Sequence, residues 1–420
     1  MSAIDLAIVA VYLVGAFCLG VALYRRAGQS SDEYFLAGRS LPWWLAGTSM
    51  VATTFAADTP LAVTGLVASG GIAGNWVWWY AGIAHVVAAL GFARYWRRLR
   101  VMTDAEIMEL RYAGRPATVL RVIKAGYQAV FLNCLTMGWV ILAMRKLSAA
   151  LFPDHDPVVI TFGLMFLAVV YSMLGGMRSV VLTDLIQFGL AMVGAILLAI
   201  VVLGPLEDGG LGGIDGLIVG LQTTYPDRWA SMLSFLPTFA DAGQTGGLPG
   251  MSVTLFAVLM TVAWWKQAEG GGYIVQRLAA TSSAVEAERA ALWFAILHNA
   301  IRPWAWILVG LAALVVWPLG VEVNGMEVDR EATYAWLLAQ RLPPGVLGIM
   351  VTSLLAAFMS TIDTHVNWGA SYVVRDGWQR FWDTDDDNPR QAVVVGRISV
   401  VVMAILAAVV SMWMDSIVSV

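Results

Sequence analysis

Residues 356–367, running Ala-Ala-Phe-Met-Ser-Thr-Ile-Asp-Thr-His-Val-Asn, place hydroxyls, a carboxylate and an amide inside an apolar run that starts near Gly345. At about 100° per residue, Ala357, Ser360, Thr361, Thr364, Asn367 and Ser371 fall on one helical stripe, with Asp363 beside it. Oxygen ligands suit hard cations, and a carboxylate within an apolar span must pair, protonate or hold an ion. The same residues could instead bridge helices or bond back onto their own backbone. The stripe alone leaves both readings open.

A second stretch has the complementary chemistry. The apolar run from Leu41 to Ser69 contains Thr53, Thr54, Asp58, Thr59, Pro60 and Thr64, and Pro60 supplies no backbone donor, so a broken helix is expected. Unwound backbone inside a bilayer survives where protein or a wet cavity covers it, and its carbonyls can then bind a cation. The run Trp264-Trp265-Lys266-Gln267-Ala268-Glu269-Gly270-Gly271-Gly272-Tyr273 repeats the irregularity. Two interrupted spans, five apart, point to an inverted-repeat transporter; a proline kink and a short outer loop are the plainer alternative.

The elements that carry these residues follow from composition. With 59% hydrophobic and 13% charged residues in 420, and a mean hydropathy of +0.73, the chain is a polytopic membrane protein. Apolar runs of roughly 20 residues identify helices, because barrel strands need only about ten. Ten spans are expected, at about 4–24, 41–69, 73–96, 118–149, 157–174, 178–204, 250–274, 289–318, 344–374 and 392–420. With the N-terminus outside, eighteen of the twenty-five basic residues fall on the cytoplasmic side, which orients the chain in the cell membrane. Residues 97–117 look like a basic amphipathic helix along the inner surface, and 205–249 and 319–343 like outer loops. The acidic run Asp383-Thr384-Asp385-Asp386-Asp387 lacks the turn glycine and terminal glutamate of an EF-hand and is read as solvated surface. Cys18 and Cys134 sit in separate spans, suggesting neither a metal cluster nor a disulfide. No basic n-region precedes the first apolar run, so it does not read as a cleaved signal.

Ordered landmarks give the chain a family resemblance. They are Asp32-Glu33-Tyr34-Phe35-Leu36-Ala37-Gly38-Arg39 before Trp43-Trp44, Gly175-Gly176 followed by Thr183-Asp184-Leu185-Ile186-Gln187, then Gln276-Arg277-Leu278-Ala279-Ala280, and Ala356 to Asn367. In these the chain resembles the sodium:solute symporter family of sodium-coupled proline, sugar, pantothenate and sialic acid carriers. The resemblance implies an all-α, leucine-transporter-type core of two inverted five-helix repeats behind one extra helix. It divides the chain into an extra helix at 1–30, a first repeat at 31–204, an extracytoplasmic loop at 205–249 and a second repeat at 250–420. That second repeat lacks the last core helix, so a truncated sequence is expected. Carried over by position, the sodium site would use the carbonyls of Ala52, Phe55 and Ala357 with the hydroxyls of Ser360 and Thr361. A second cation site would use Asp184, Asp363 and Thr364, together with Ser360.

The solute pocket is expected between the two breaks and core helices two, three and seven. Its candidates by position are Thr54, Asp58, Thr59, Asn75, Trp78, Trp79, Gln128, Asn133, Trp264, Gln267 and Asn299, where aromatics stack on ring faces and polar groups orient the solute. Gln267 stands where sugar-carrying relatives have an aromatic gate, which argues against a sugar. Lys266 could hold a carboxylate or pair with Glu269. His85, His298 and His365 have no metal-like spacing and read as packing residues. The chain lacks His-Glu-x-x-His and Gly-x-Ser-x-Gly motifs, so it is not expected to be an enzyme. No cofactor is implied beyond sodium as coupling ion. The expected partners are sodium, a small organic solute and the lipid bilayer, with no nucleic acid, and the sequence does not specify an oligomeric state. The alternative function is the membrane sensor domain of a symporter-like histidine kinase whose signalling part lies outside this chain.

Overall fold

The stretch around Ser360 belongs to one helix, Val346–Phe381, and 83% of its apolar window is buried against other helices. That burial explains its polar content. A helix facing lipid on one side must be apolar there, whereas one walled in by protein can hide hydroxyls and charges wherever a neighbour satisfies them. The opposite extreme is the first helix, Ala3–Ala27, whose window is 11% buried and whose Val11, Val14 and Val21 are exposed.

The computed structural model describes residues 1–56, 58–237, 251–323, 326–382 and 389–414. The acidic run 383–387, residues 238–249 of the outer loop and the chain from 415 onward lie outside them. In chain order the principal helices are α1 (Ala3–Ala27), α2 (Trp43–Thr53), α3 (Asp58–Gly70), α4 (Ile72–Trp79), α5 (Ala81–Leu99), α6 (Gly114–Ala149), α7 (Pro157–Leu203), α8 (Val253–Thr261), α9 (Gly272–Ala280), α10 (Ala284–Val316), α11 (Val346–Phe381) and α12 (Arg390–Met412). The pair α2 and α3 bends by 63°, and α4 and α5 by 42°. Between α10 and α11, two-residue strands Glu322–Val323 and Met326–Glu327 pair antiparallel.

The two interrupted spans are physically joined. The Leu41 amide donates to Ala280 O at 3.1 Å, and the Ser282 amide donates to Leu41 O at 3.0 Å. Glu286 accepts the Trp43 amide at 2.8 Å and so caps α2. At the other end of the molecule Asp5 of α1 accepts from the amides of Gly345 and Gly348, at 2.7 and 2.8 Å. A carboxylate there satisfies orphan donors and meets the positive end of the α11 dipole.

α7 is one continuous run that changes direction at Gly176, where φ is 58° and ψ −159°. It therefore contains the two spans expected at 157–174 and 178–204. That conformation is open essentially to glycine alone, and a Cβ there would lie 2.6 Å from Tyr34 O. Gly176→Ala should lower stability by about 1–3 kcal/mol from backbone strain alone. Thermal unfolding in detergent would show it as a reduced melting temperature, and a wild-type melt would refute the strain.

Residues 97–117 do not form the amphipathic surface helix expected from their pattern. Arg100 adopts φ 55° and ends α5, and Thr103 with Glu106 forms a reciprocal cap on a tight turn at Asp104–Glu106. One short helix, Ile107–Arg111, follows before α6. The acids point inward and not to solvent. Glu109 accepts from Arg380 at 3.0 Å and from Arg121 at 2.7 Å, and the Arg380 hydrogen bonds lead in holding its carboxyl down to about 2.

Candidate functional site

The break between α2 and α3 is built by its own sequence. Thr54 turns its hydroxyl back onto Val51 O at 2.8 Å and Met50 O at 3.2 Å, ending α2. The Phe55 amide donates to Ala52 O at 3.1 Å, and the Thr59 amide to Ala56 O at 3.1 Å. Pro60 is the third residue of α3, so its missing donor falls among amides that have no helical partner anyway, and its ring forbids a helix continuing from Ala56. The proline thus starts the second half-helix and does not kink a continuous one.

α11 faces this break with three different neighbours. Thr361 Oγ1 donates to Thr53 O at 3.3 Å and to Ala357 O at 3.2 Å, tying the end of α2 to α11. Ser360 Oγ donates to Asp184 Oδ1 at 2.5 Å, and Ser49 donates to the other oxygen of the same carboxylate. Thr364 Oγ1 lies 3.0 Å from Thr53 Oγ1. Asp363 points elsewhere: its carboxylate accepts from Tyr171 of α7, and its carbonyl accepts from Ser172 Oγ at 3.3 Å. Of the residues carried over for sodium, Thr361 reaches the end of α2 through the Thr53 carbonyl and bonds Ala357 on its own helix, while Ser360 turns to Asp184. Of the second set, Asp184 meets Ser360, Thr364 meets Thr53, and Asp363 turns to Tyr171.

Arg277 stands between Asp184 and Thr364. It comes from α9, just past Gly270, Gly271 and Gly272, whose positive φ values of 96°, 47° and 54° make the second break. Its guanidinium donates to Thr364 Oγ1 at 2.6 Å, to Ser49 Oγ at 3.2 Å and to Thr53 Oγ1 at 3.4 Å, and lies 3.8 Å from Asp184. Both charges are fully buried. The pair answers each other's charge, and the surrounding hydroxyls satisfy the remaining donors and lone pairs, which a buried ion pair requires.

A second group gathers on the other side of the break. Thr54 Oγ1 lies 3.0 Å from His298 Nδ1 and accepts from Arg302 Nη1 at 3.1 Å. Trp78 meets His298 edge-on with ring centroids 5.6 Å apart, and Trp79 packs beside Trp78. Asn299 lies 3.1 Å from His85 Nδ1. Asp58 is within electrostatic reach of Arg302. Thr54, Asp58, Trp78, Trp79 and Asn299 thus surround one region. Asn75 steadies it from behind by accepting from the Trp78 indole at 3.0 Å.

The other expected solute residues are placed differently. Asn133 is taken up by His365, through contacts of 2.9 and 2.6 Å, and joins α6 to α11. Gln128 is half-buried on α6. Trp264 stacks on Trp265 at 4.4 Å and Thr59 is half-buried at the start of α3, whereas Gln267, although exposed, hydrogen-bonds His85 and so borders the same region as Asn299. Lys266 and Glu269 are both exposed.

The sodium:solute symporter family profile matches residues 34–418, from before the first break to the last helix. The chain belongs to this family. The sodium/glucose cotransporter of Vibrio parahaemolyticus is 26% identical over 430 residues, covering 98% of this chain and 75% of that protein. The sodium/sialic acid symporter SiaT of Proteus mirabilis (strain HI4320) is 24% identical over 421 residues, covering 98% and 78%. A substrate-bound, outward-open structure of a Na+-coupled sialic acid symporter matches with a TM-score of 0.79 at 21% identity, over 98% of this chain and 82% of that one. The fold of this sodium:solute symporter is thus that of the leucine-transporter-type carriers, and the protein is a multi-pass membrane protein.

Two residues of the site escape a reading of the sodium:solute symporter sequence by span and stripe. Arg277 counts as a cytoplasmic basic residue near a loop, although it is buried to the centre of the hydroxyl cluster. Arg302 is visible as a lone arginine within a span, a signal that by itself marks function.

Proposed function

We propose that the protein imports a small organic solute together with sodium by alternating access, with the ion held by the carbonyls of Ala52, Phe55 and Ala357 and the hydroxyls of Ser360 and Thr361. The observation that carries this reading is the contact of Thr361 Oγ1 with Thr53 O across the break, because it sets a hydroxyl of α11 beside backbone carbonyls at the end of a half-helix. A monovalent cation seated there stabilises the closed apposition of α2 and α11, and a ligand that prefers one of two states shifts the population toward it. Each sodium entering an inside-negative cell contributes roughly 2.3 kcal/mol per 100 mV, besides its concentration gradient.

The repeats at 31–204 and 250–420 would move relative to each other around this site, with the N-terminus outside and the solute between the breaks. A second cation at Asp184, Asp363 and Thr364 competes with the Arg277 guanidinium, which already neutralises Asp184. No observation favours the sensor reading.

The test is uptake into proteoliposomes across a panel of labelled amino acids, sugars and carboxylates. Accumulation is expected with an inward sodium gradient, and it should vanish when choline replaces sodium. Equal accumulation in both would refute sodium coupling.

A further inference from the structure

Three arginines are buried among the described residues: Arg121, Arg277 and Arg302. Two of them meet carboxylates. Arg121 pairs with Glu109 at 2.7 Å and Asp376 at 2.6 Å, and Arg277 lies against Asp184. Arg302 has no carboxylate within 4.0 Å among the described residues. It is 2% exposed, and all its contacts are neutral: Val51 O at 3.2 Å, Thr54 Oγ1 at 3.1 Å, His298 Nε2 at 3.5 Å and the Trp306 ring at 5.5 Å. Its Nε is buried with no acceptor.

Packing alone does not account for an arginine here. The end of α2 presents carbonyls to Arg302, but a helix end carries only about half an elementary charge. In contact with the full buried charge there is only half a charge, Asp58 being in electrostatic reach but not paired, which is costly, and the neutral contacts could be made by a glutamine. The position of Arg302 supplies the missing reason. It touches Val51 and Thr54 at the first break and is within electrostatic reach of Tyr273, just past the second. A solute seated between the breaks therefore lies beside it.

We infer that Arg302 receives a carboxylate of the transported solute, so the substrate is a small organic acid or amino acid and not a neutral sugar. This rests on the symport reading. A guanidinium offers two parallel donors to a carboxylate, which a lysine cannot match. Asp58 has a buried oxygen without a donor and lies in electrostatic reach of Arg302. It would take a hydroxyl or ammonium on the same solute.

The test uses the full chain in lipid nanodiscs and matched pairs of probes: lactate and lactamide, alanine and alaninamide, glucuronate and glucose. Melting is followed in sodium chloride and in choline chloride. In sodium, the carboxylate of at least one pair should raise the melting temperature, and its carboxylate-free partner should not. Arg302→Gln should lose that shift while keeping the stabilisation given by sodium alone, which shows that it still folds. Arg302→Lys should keep the preference with affinity weakened roughly tenfold, since an ammonium lacks the paired donors. The inference is overturned if no carboxylate shifts the protein in sodium, if a carboxylate-free partner binds as well, or if Arg302→Gln keeps carboxylate affinity. Carboxylate shifts equal in sodium and choline would instead remove the sodium reading and leave the Arg302 assignment standing.

Discussion

Arg277→Met should destabilise the protein by about 3–5 kcal/mol, because it strands the Asp184 carboxylate in the interior with hydroxyls as its remaining partners. The geometry makes the loss larger than that of a surface pair. Both groups are fully buried, and the guanidinium also bonds Thr364 at 2.6 Å and Ser49 at 3.2 Å, so three helices lose a shared partner at once. The double variant Arg277→Met with Asp184→Asn should recover most of the stability. It removes both charges and leaves an amide that can still meet Ser49 and Ser360. Melting of the two single variants, the double variant and the wild type completes the cycle. Single variants costing under about 1 kcal/mol, the range of a surface ion pair, would show that Arg277 does not compensate Asp184. Sodium-driven uptake by the double variant separates a structural role from a working one. Recovered stability without recovered uptake would place the charge pair in the transport cycle.

The legible parts of this molecule are those set by local chemistry. Pro60 and the glycines at 270–272 announced two breaks, and helical spacing put Ser360, Thr361 and Thr364 on one stripe. What the stripe could not reveal is that α11 is enclosed all round. Ser360 meets Asp184, Thr361 meets the break, and Asp363 meets Tyr171, so neighbouring oxygens serve different partners. Spacing along one helix says nothing of the order in which other helices surround it. Ser49 and Asp184 stand 135 residues apart in the chain, and Arg277 reaches both from α9. The 97–117 segment misled for a related reason. Its mix of basic and apolar residues reads as an amphipathic surface helix, but Thr103 with Glu106 caps a turn instead, and Arg121 and Arg380 draw Glu109 inward.

Loss of sodium-driven uptake in Ser360→Ala with Thr361→Ala is the outcome on which the ion assignment depends. Each hydroxyl that ligates a charge contributes about 1.5–3 kcal/mol, so removing two weakens sodium binding by roughly 10²- to 10⁴-fold. At physiological sodium such a protein would run essentially uncoupled from the ion. Ser360 also donates to Asp184, so its loss alone confounds ligation with support of the buried carboxylate. Thr361 separates the two, because among the described residues its hydroxyl bonds only the carbonyls of Thr53 and Ala357. Thr361→Ser keeps the oxygen and should retain nearly wild-type sodium dependence, whereas Thr361→Ala should raise the half-saturating sodium concentration by about tenfold or more. Uptake measured against sodium concentration in proteoliposomes resolves these cases. An unchanged sodium curve for Thr361→Ala, in protein that melts normally, would move the ion away from the α2 break and leave the Thr361 contact as helix packing.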